Sequence, residues 1–140
     1  MKGTVLLPMI LMIGAILVTI GMAGLLIGVV LNRSNASIRL SSMALVGAQA
    51  GIADVHRRII RNPAWLPTCV SLASPTYTMS LGGGTVVVAV CVTKNVATNQ
   101  YTAQSLGTAR LVQKRRLDAV IELDPATSQV KVKSINEVQF

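Results

Sequence analysis

The chain is poor in the residues on which catalysis and metal binding depend. Its 140 residues include only five Asp and Glu and a single histidine, His56. The two cysteines, Cys69 and Cys91, have a spacing that fits no metal-binding motif, and His56 lies in a different segment. The triple glycine at 82–84 is not followed by a helix carrying Lys and Ser or Thr, as a phosphate-binding loop would be. These absences argue against an enzyme, and we expect neither a cofactor nor a small-molecule substrate.

Acidic residues are also scarce relative to basic ones. Thirteen Lys and Arg against five Asp and Glu give a formal net charge of +8. Such a charge favours anionic partners, such as nucleic acid, lipid headgroups or cell-wall polymers, although simple solubility explains it equally well. With one Trp, two Tyr and one Phe, the chain has few side chains on which single-stranded bases could stack. The candidate anion- or DNA-binding patch comprises Arg57, Arg58, Arg61, Arg110, Lys114, Arg115 and Arg116.

Charge is missing altogether from Gly3 to Leu31. As a helix, this run would span roughly 44 Å at 1.5 Å per residue, more than the ~30 Å hydrocarbon core of a bilayer requires. A cleavable secretory signal has a shorter apolar region, of about 7–15 residues. Residues 1–31 are therefore predicted to form an apolar transmembrane or assembly helix. Small residues allow helices to approach closely in lipid, and the candidate helix-packing positions are Gly14, Gly21, Gly24 and Gly28.

Proline is absent between Pro8 and Pro63, so no proline ends the helix at the membrane boundary. Beyond the run, apolar residues recur every seven positions, which predicts an amphipathic continuation of the helix over residues 32–62. A dimeric coiled coil is the alternative to packing on a sheet of the same chain. In the favoured interpretation, the residues that hold the sheet are Ile38, Leu45, Ile52, Val55 and Ile59.

The remainder, residues 63–140, is predicted to be an antiparallel β head domain, because from Pro75 the apolar period drops to two. The strand YTMSL, the turn GGGT and the strand VVVAVCVTK form a hairpin, and QYTAQSLG forms a further strand that ends at Gly107. A second hairpin turns at DPATS and places Glu122 opposite Lys131. The predicted fold is α+β: a long N-terminal helix, transmembrane in its lower half, packs on a sheet of three to five strands.

These features together resemble type IV pilins and pseudopilins, particularly the minor pilins. The resemblance rests on the start Met1-Lys2-Gly3, on the apolar helix with its amphipathic continuation, and on the C-terminal sheet. AQAGIADVHRRIIRNP, residues 48–63, is similar to the end of the helix in minor pilins, where a run like AEAGI is common. SLGTARLVQKRRLDAVIEL, residues 105–123, resembles the S-x-G strand and the Arg-rich strand that follows it in the same proteins.

The resemblance implies that a prepilin peptidase cleaves between Gly3 and Thr4 and methylates the new terminus. It also implies a non-enzymatic structural subunit of a type IV pilus or of a related secretion or DNA-uptake filament, with other pilin subunits as partners. Pro8 takes the fifth mature position, where the family usually has Glu, and this favours a minor subunit. The expected location is the inner (cytoplasmic) membrane, single-pass with the C-terminal domain outside, and then a cell-surface filament. An outward domain would suit a Cys69–Cys91 disulfide.

A second function remains open at this point. A membrane-anchored extracytoplasmic protein could use the basic residues to bind DNA or could serve as an adaptor. Orientation is open as well. Lys2 precedes the apolar run and Arg33 and Arg39 follow it, so the positive-inside rule alone favours a cytoplasmic C-terminus. Membrane lipid is an expected partner in either case.

Overall fold

The computed structural model describes the backbone of residues 6–138 and the side chains from residue 9 onward; Gly3 and Thr4 lie outside this range. Within it the chain forms one helix and five strands, which confirms the predicted α+β class. The elements are α1 (Leu6–Arg61), β1 (Tyr77–Leu81), β2 (Val86–Asn95), β3 (Gln100–Ala109), β4 (Gln113–Leu123) and β5 (Val130–Val138). The part of α1 up to Ile38 and the chain from Arg39 onward form two separate compact units.

The first unit contains the apolar run. Every residue from Met9 to Ile38 is exposed, and the helix from Met9 is long and apolar enough to cross a membrane. The Thr19 hydroxyl donates a hydrogen bond to the carbonyl oxygen of Ile16 (2.8 Å), so its polar group is satisfied within the helix. This matters because the bilayer core offers no water to satisfy polar groups.

In the second unit, α1 packs on the sheet through a stripe of small and β-branched residues. Ile52, Val55 and Ile59 are buried at 5%, 0% and 0% exposure, and Leu45 packs at the margin of the core. Ile38 is 63% exposed, so the prediction that it holds the sheet was wrong. The reason is the seven-residue spacing: positions seven apart rotate by about 20° per repeat around a straight helix, so three repeats carry Ile38 roughly 60° away from Ile59.

The end of α1 is fixed to the sheet by polar contacts. The helix ends at Arg61, before Asn62-Pro63, as expected for a residue that precedes proline. The Lys94 ammonium donates to the carbonyl oxygen of Pro63 (3.2 Å). The hydroxyl of the fully buried Tyr101 lies 3.0 Å from the same oxygen and 3.1 Å from that of Trp65.

The five strands form one antiparallel sheet in sequence order, β1-β2-β3-β4-β5. The predicted β4–β5 register is confirmed, with Glu122 opposite Lys131. One boundary differs from the prediction: β3 does not end at Gly107 but continues to Ala109. The helix-side face of the sheet supplies the other half of the core, from Val86, Val88, Val90, Val92, Tyr101, Ala103, Ala109, Leu117, Ala119, Ile121 and Leu123.

Candidate functional site

The apolar run is the first candidate site, because nothing within the described structure covers it. A Cβ added at any of its four glycines would meet no atom within 4 Å. The strips of helix surface at Gly14, Gly21, Gly24 and Gly28 are therefore flat and open. Such strips let another helix approach the backbone closely in an apolar environment. The arrangement can therefore associate with lipid and with further helices.

The seam between α1 and the sheet contains three glycines whose role the sequence analysis missed. A Cβ at Gly47 would lie 2.6 Å from Cγ1 of Val86, and one at Gly51 would overlap the hydroxyl oxygen of Ser105. On the strand side, a Cβ at Gly107 would overlap the carbonyl oxygen of Ala44. At Gly107 the strand backbone thus meets the helix backbone, and at Gly47 and Gly51 side chains of the sheet lie directly against the helix backbone.

A signal for this seam is present in the sequence. Ala44 and Ala48 form one small-xxx-small pair, and Gly47 and Gly51 form another, interleaved with the first. On a helix, positions three and four apart lie on one face. The S-x-G of β3 carries the matching small residues, because alternate residues of a strand face the same side of the sheet.

The candidate basic patch divides into two groups at opposite ends of the second unit. Arg115 donates through Nε to the hydroxyl of Ser41 (2.9 Å), near the start of the unit. Arg57 lies sixteen residues further along the same helix, roughly 24 Å at 1.5 Å per residue. The structure therefore places Arg57, Arg58 and Arg61 apart from Arg115, so the candidate residues do not all lie side by side. The sequence alone does not show at which end of the sheet a strand begins, so it could not show that these basic residues are separated.

Three of the seven basic residues are already paired with carboxylates. Arg58 pairs with Asp54 (2.7 Å), Arg115 with Glu137 (2.9 Å) and Arg116 with Asp118 (2.7 Å). These pairs are partly exposed, where an ion pair contributes only about 0–1 kcal/mol to stability. Their consequence is electrostatic, since each carboxylate offsets a positive charge that could otherwise attract phosphate. The remaining four, Arg57, Arg61, Arg110 and Lys114, are exposed and form no ion pair within residues 9–138.

Cys69 and Cys91 form a disulfide, with their Cα atoms 5.5 Å apart. Cys91 lies in β2 with its side chain buried, whereas Cys69 belongs to the connection between α1 and β1. The bond therefore ties this connection to the sheet. A loop of this length, closed by a disulfide, stabilises a fold by about 2–4 kcal/mol. Disulfides are typical of exported domains.

A polar cluster lies where β1 meets the helix. The Arg58 guanidinium stands 4.1 Å from the centroid of the Tyr77 ring and donates to Asp54 one turn earlier. Burial raises the pKa of the Tyr77 phenol well above its usual range, and the neighbouring Asp54 carboxylate raises it further. The geometry of the cluster explains the packing of β1 on α1.

An open apolar groove of about 380 Å³ runs between α1 and β5, lined by Ile52, His56, Leu117, Val132 and Ile135 among others. His56 is the only titratable side chain there, and within the residues searched no three His, Cys, Asp or Glu side chains come together as metal ligands.

Comparison with protein-family models, curated proteins and solved structures gives no match for this chain.

Proposed function

We propose that the chain is a non-enzymatic structural subunit, pilin-like and of the minor type, of a type IV pilus or a related secretion or DNA-uptake filament. In this proposal the apolar run is the assembly element and the sheet is the head domain that faces outward. The disulfide between Cys69 and Cys91 supports an outward, oxidising location for the head. The proposed partners are other pilin subunits, and a prepilin peptidase would act at Gly3 and Thr4.

The observation that carries the proposal is the exposure of the apolar run on a helix that also holds the head domain. α1 contains both the exposed residues 9–31 and the buried stripe from Ala44 to Ile59. A flexible linker of the kind that adaptors use between anchor and domain is absent from the described helix.

The physical requirement of a filament fits this architecture. An apolar helix of this length leaves the bilayer only if its surface is buried again, because exposing it costs about 25 cal/mol for each Å². Packing many such helices together buries that surface, and the open strips at Gly14, Gly21, Gly24 and Gly28 permit close contact. The run supplies the means of assembly without any catalytic group.

The DNA-binding alternative has less support. The separation of the basic residues by roughly 24 Å of helix leaves no single continuous surface for a phosphate backbone. Three of the seven basic residues also share their charge with Asp54, Glu137 and Asp118. A short duplex could still contact either group, and the salt dependence of such binding would reveal it.

The test is the intact mass of the protein from membranes of its native cells, with material sheared from the cell surface measured beside it. A methylated chain that begins at Thr4 and occurs in the sheared fraction is the expected result. An uncut chain confined to membranes would overturn the proposal and leave an anchored adaptor.

A pair of variants separates assembly from membrane insertion. Gly24→Leu with Gly28→Leu keeps the run apolar but fills the open strip, so we expect the protein in membranes and not in the sheared fraction. Leu25→Ile with Val29→Ile changes the same turns without filling the strip and should behave as the parent chain. Equal recovery of both double variants in the sheared fraction would show that the strip at Gly24 and Gly28 makes no contact with another subunit.

A further inference from the structure

The turn between β3 and β4, residues 110–112, carries two apolar side chains with nothing to pack against. Leu111 is 84% exposed and Val112 is 71% exposed. They are adjacent and lie at the end of the β3–β4 hairpin. Contiguous exposed apolar surface is a common feature of sites that contact a partner or a membrane.

The backbone of the turn is unusual for its sequence. Arg110 has a φ of 47° and Leu111 a φ of 62°, a left-handed region that favours Asn and Gly in hairpin turns. The amide of Val112 donates to the carbonyl of Ala109 (3.1 Å), and the amide of Arg110 donates to the carbonyl of Thr85 (3.0 Å). These bonds hold the two apolar side chains outward. A leucine here is unfavourable both for its conformation and for its exposure, so the fold alone does not account for it.

Positive charge flanks the turn. Arg110 and Lys114 are exposed, and neither forms an ion pair within residues 9–138. The neighbouring arginines on β4 are the ones that hold carboxylates: Arg115 pairs with Glu137 and Arg116 with Asp118. The acids nearby in the sheet are therefore already engaged, and the free charge at the turn is positive.

The turn lies at the end of the second unit where the chain enters it. The hydrogen bond from Arg115 to Ser41 puts the start of β4 beside the first residues of the unit. Arg39, where the unit begins, follows the last residue of the apolar run, Leu31, by eight residues. Eight residues reach at most about 29 Å in any conformation. The start of the head domain is therefore covalently tethered within that distance of the end of the apolar run.

We infer that the β3–β4 turn is a lipid-binding site that docks the head domain on an anionic membrane surface. Leu111 and Val112 enter the headgroup region, and Arg110 and Lys114 contact lipid phosphates. The inference depends on the membrane-spanning helix and not on filament assembly, so it can hold or fail separately from the proposed function.

Lipid fits this surface better than nucleic acid does. Phosphates of a duplex would satisfy Arg110 and Lys114, but they would leave Leu111 and Val112 in water. Stacking on bases needs exposed aromatic rings, and within the described residues the Trp and both Tyr side chains are buried or half-buried. A bilayer interface satisfies both kinds of side chain at once.

The experiment uses the full chain in vesicles and reads the depth of the turn by tryptophan fluorescence. Leu111→Trp is compared with Val96→Trp, an exposed position (67%) in the turn at the opposite end of β3. The parent chain, with Trp65 alone, gives the background. The vesicles contain phosphatidylcholine brominated near the headgroup, with or without phosphatidylglycerol. We expect strong quenching of Leu111→Trp when phosphatidylglycerol is present, and none of Val96→Trp beyond that of the parent.

Charge variants test the second half of the site. Adding Arg110→Gln and Lys114→Gln to Leu111→Trp should lower the ratio of docked to undocked turn about 25-fold, at roughly fivefold for each basic residue near an anionic surface. Arg110→Lys should retain quenching. Quenching of Leu111→Trp no stronger than that of Val96→Trp would overturn the inference. The inference would also be overturned, in favour of nucleic acid, if duplex DNA prevented the quenching of Leu111→Trp when added at the same phosphate concentration as the lipid.

Discussion

Gly107, within β3, lies directly against the backbone of Ala44 in α1, with no side chain between them. A Cβ at position 107 would overlap the carbonyl oxygen of Ala44 and lie 2.8 Å from the amide nitrogen of Ala48. Both atoms belong to the helix backbone, so neither can rotate away as the end of a side chain could. Gly107 therefore sets how closely the sheet approaches the helix.

The first prediction is that Gly107→Ala lowers the free energy of unfolding by about 1–3 kcal/mol, as insertion into a tightly packed core does. Denaturant unfolding of the full chain in detergent micelles, followed by the fluorescence of Trp65, measures it. Gly24→Ala is the control, because its methyl group would meet no atom within 4 Å. Identical unfolding midpoints for Gly107→Ala and the parent chain would show that α1 and β3 are far enough apart at this point to accommodate a methyl group.

The second prediction concerns Ser105, whose fully buried hydroxyl has no hydrogen-bond partner within the described residues. Replacing it by alanine removes a desolvated polar group, so Ser105→Ala should stabilise the head domain by about 1 kcal/mol. It should also relieve the damage from Gly51→Ala, whose new methyl group would overlap that hydroxyl. A coupling of at least about 0.5 kcal/mol is expected in the double-mutant cycle.

Gly47→Ala is the matched control for this cycle. Its methyl group would press on Val86 and Val88 but would not reach Ser105. The cost of Gly47→Ala should therefore be the same in the parent chain and in Ser105→Ala. If Ser105→Ala relieves both glycine variants equally, the effect is a general loosening of the core and the specific contact is refuted.

The third prediction compares two isoleucines that the seven-residue pattern placed on the same face of α1. Ile52 is 5% exposed and packs in the core, whereas Ile38 is 63% exposed. Truncation of a buried isoleucine costs about 2–5 kcal/mol, so Ile52→Ala should sharply lower the unfolding midpoint of the head domain. Ile38→Ala should change it by no more than about 0.5 kcal/mol. Similar losses for the two variants would mean that Ile38 is covered in solution, as it would be in a coiled coil.

Much of the fold was predictable because local patterns agreed with each other. The β4–β5 hairpin carries three independent signals: alternating apolar residues, a set of turn residues and an opposite-charge pair. All three require the same strand register, in which Glu122 lies opposite Lys131. The helix was predictable for a similar reason, since no charged residue occurs from Gly3 to Leu31 and no proline occurs between Pro8 and Pro63. Agreement between independent local signals leaves few alternative pairings.

The parts of the prediction that were wrong concern residues whose roles depend on how distant segments of the chain pack together. The prediction ended a strand at Gly107, whereas in the structure the strand continues and this glycine permits a close approach of two backbones. Arg57 and Arg115 were grouped by charge, although the antiparallel sheet brings the start of β4 next to Ser41. The turn at Arg110 and Leu111 gave no signal, because its positive φ angles occur without Asn or Gly. Such features depend on tertiary contacts that a linear pattern does not contain.

The fourth prediction is a loss of stability in alkali that depends on Tyr77. Burial raises the pKa of the Tyr77 phenol above its ordinary value of 10.0, and the Asp54 carboxylate adds to the effect. The unfolded chain then releases this proton before the folded chain does. The contribution of Tyr77 is fully present below about pH 10 and is lost as the pH rises toward the folded-state pKa.

Tyr77→Phe removes the ionising group and keeps the ring beneath Arg58. We therefore expect the unfolding midpoint of Tyr77→Phe to fall less than that of the parent chain between about pH 9 and pH 11. Below pH 9 the difference between the two midpoints should be constant. A difference that stays constant through the whole range would mean that the phenol is hydrated in the folded state, and β1 would then have to pack less tightly on α1 than its half-buried side chains indicate.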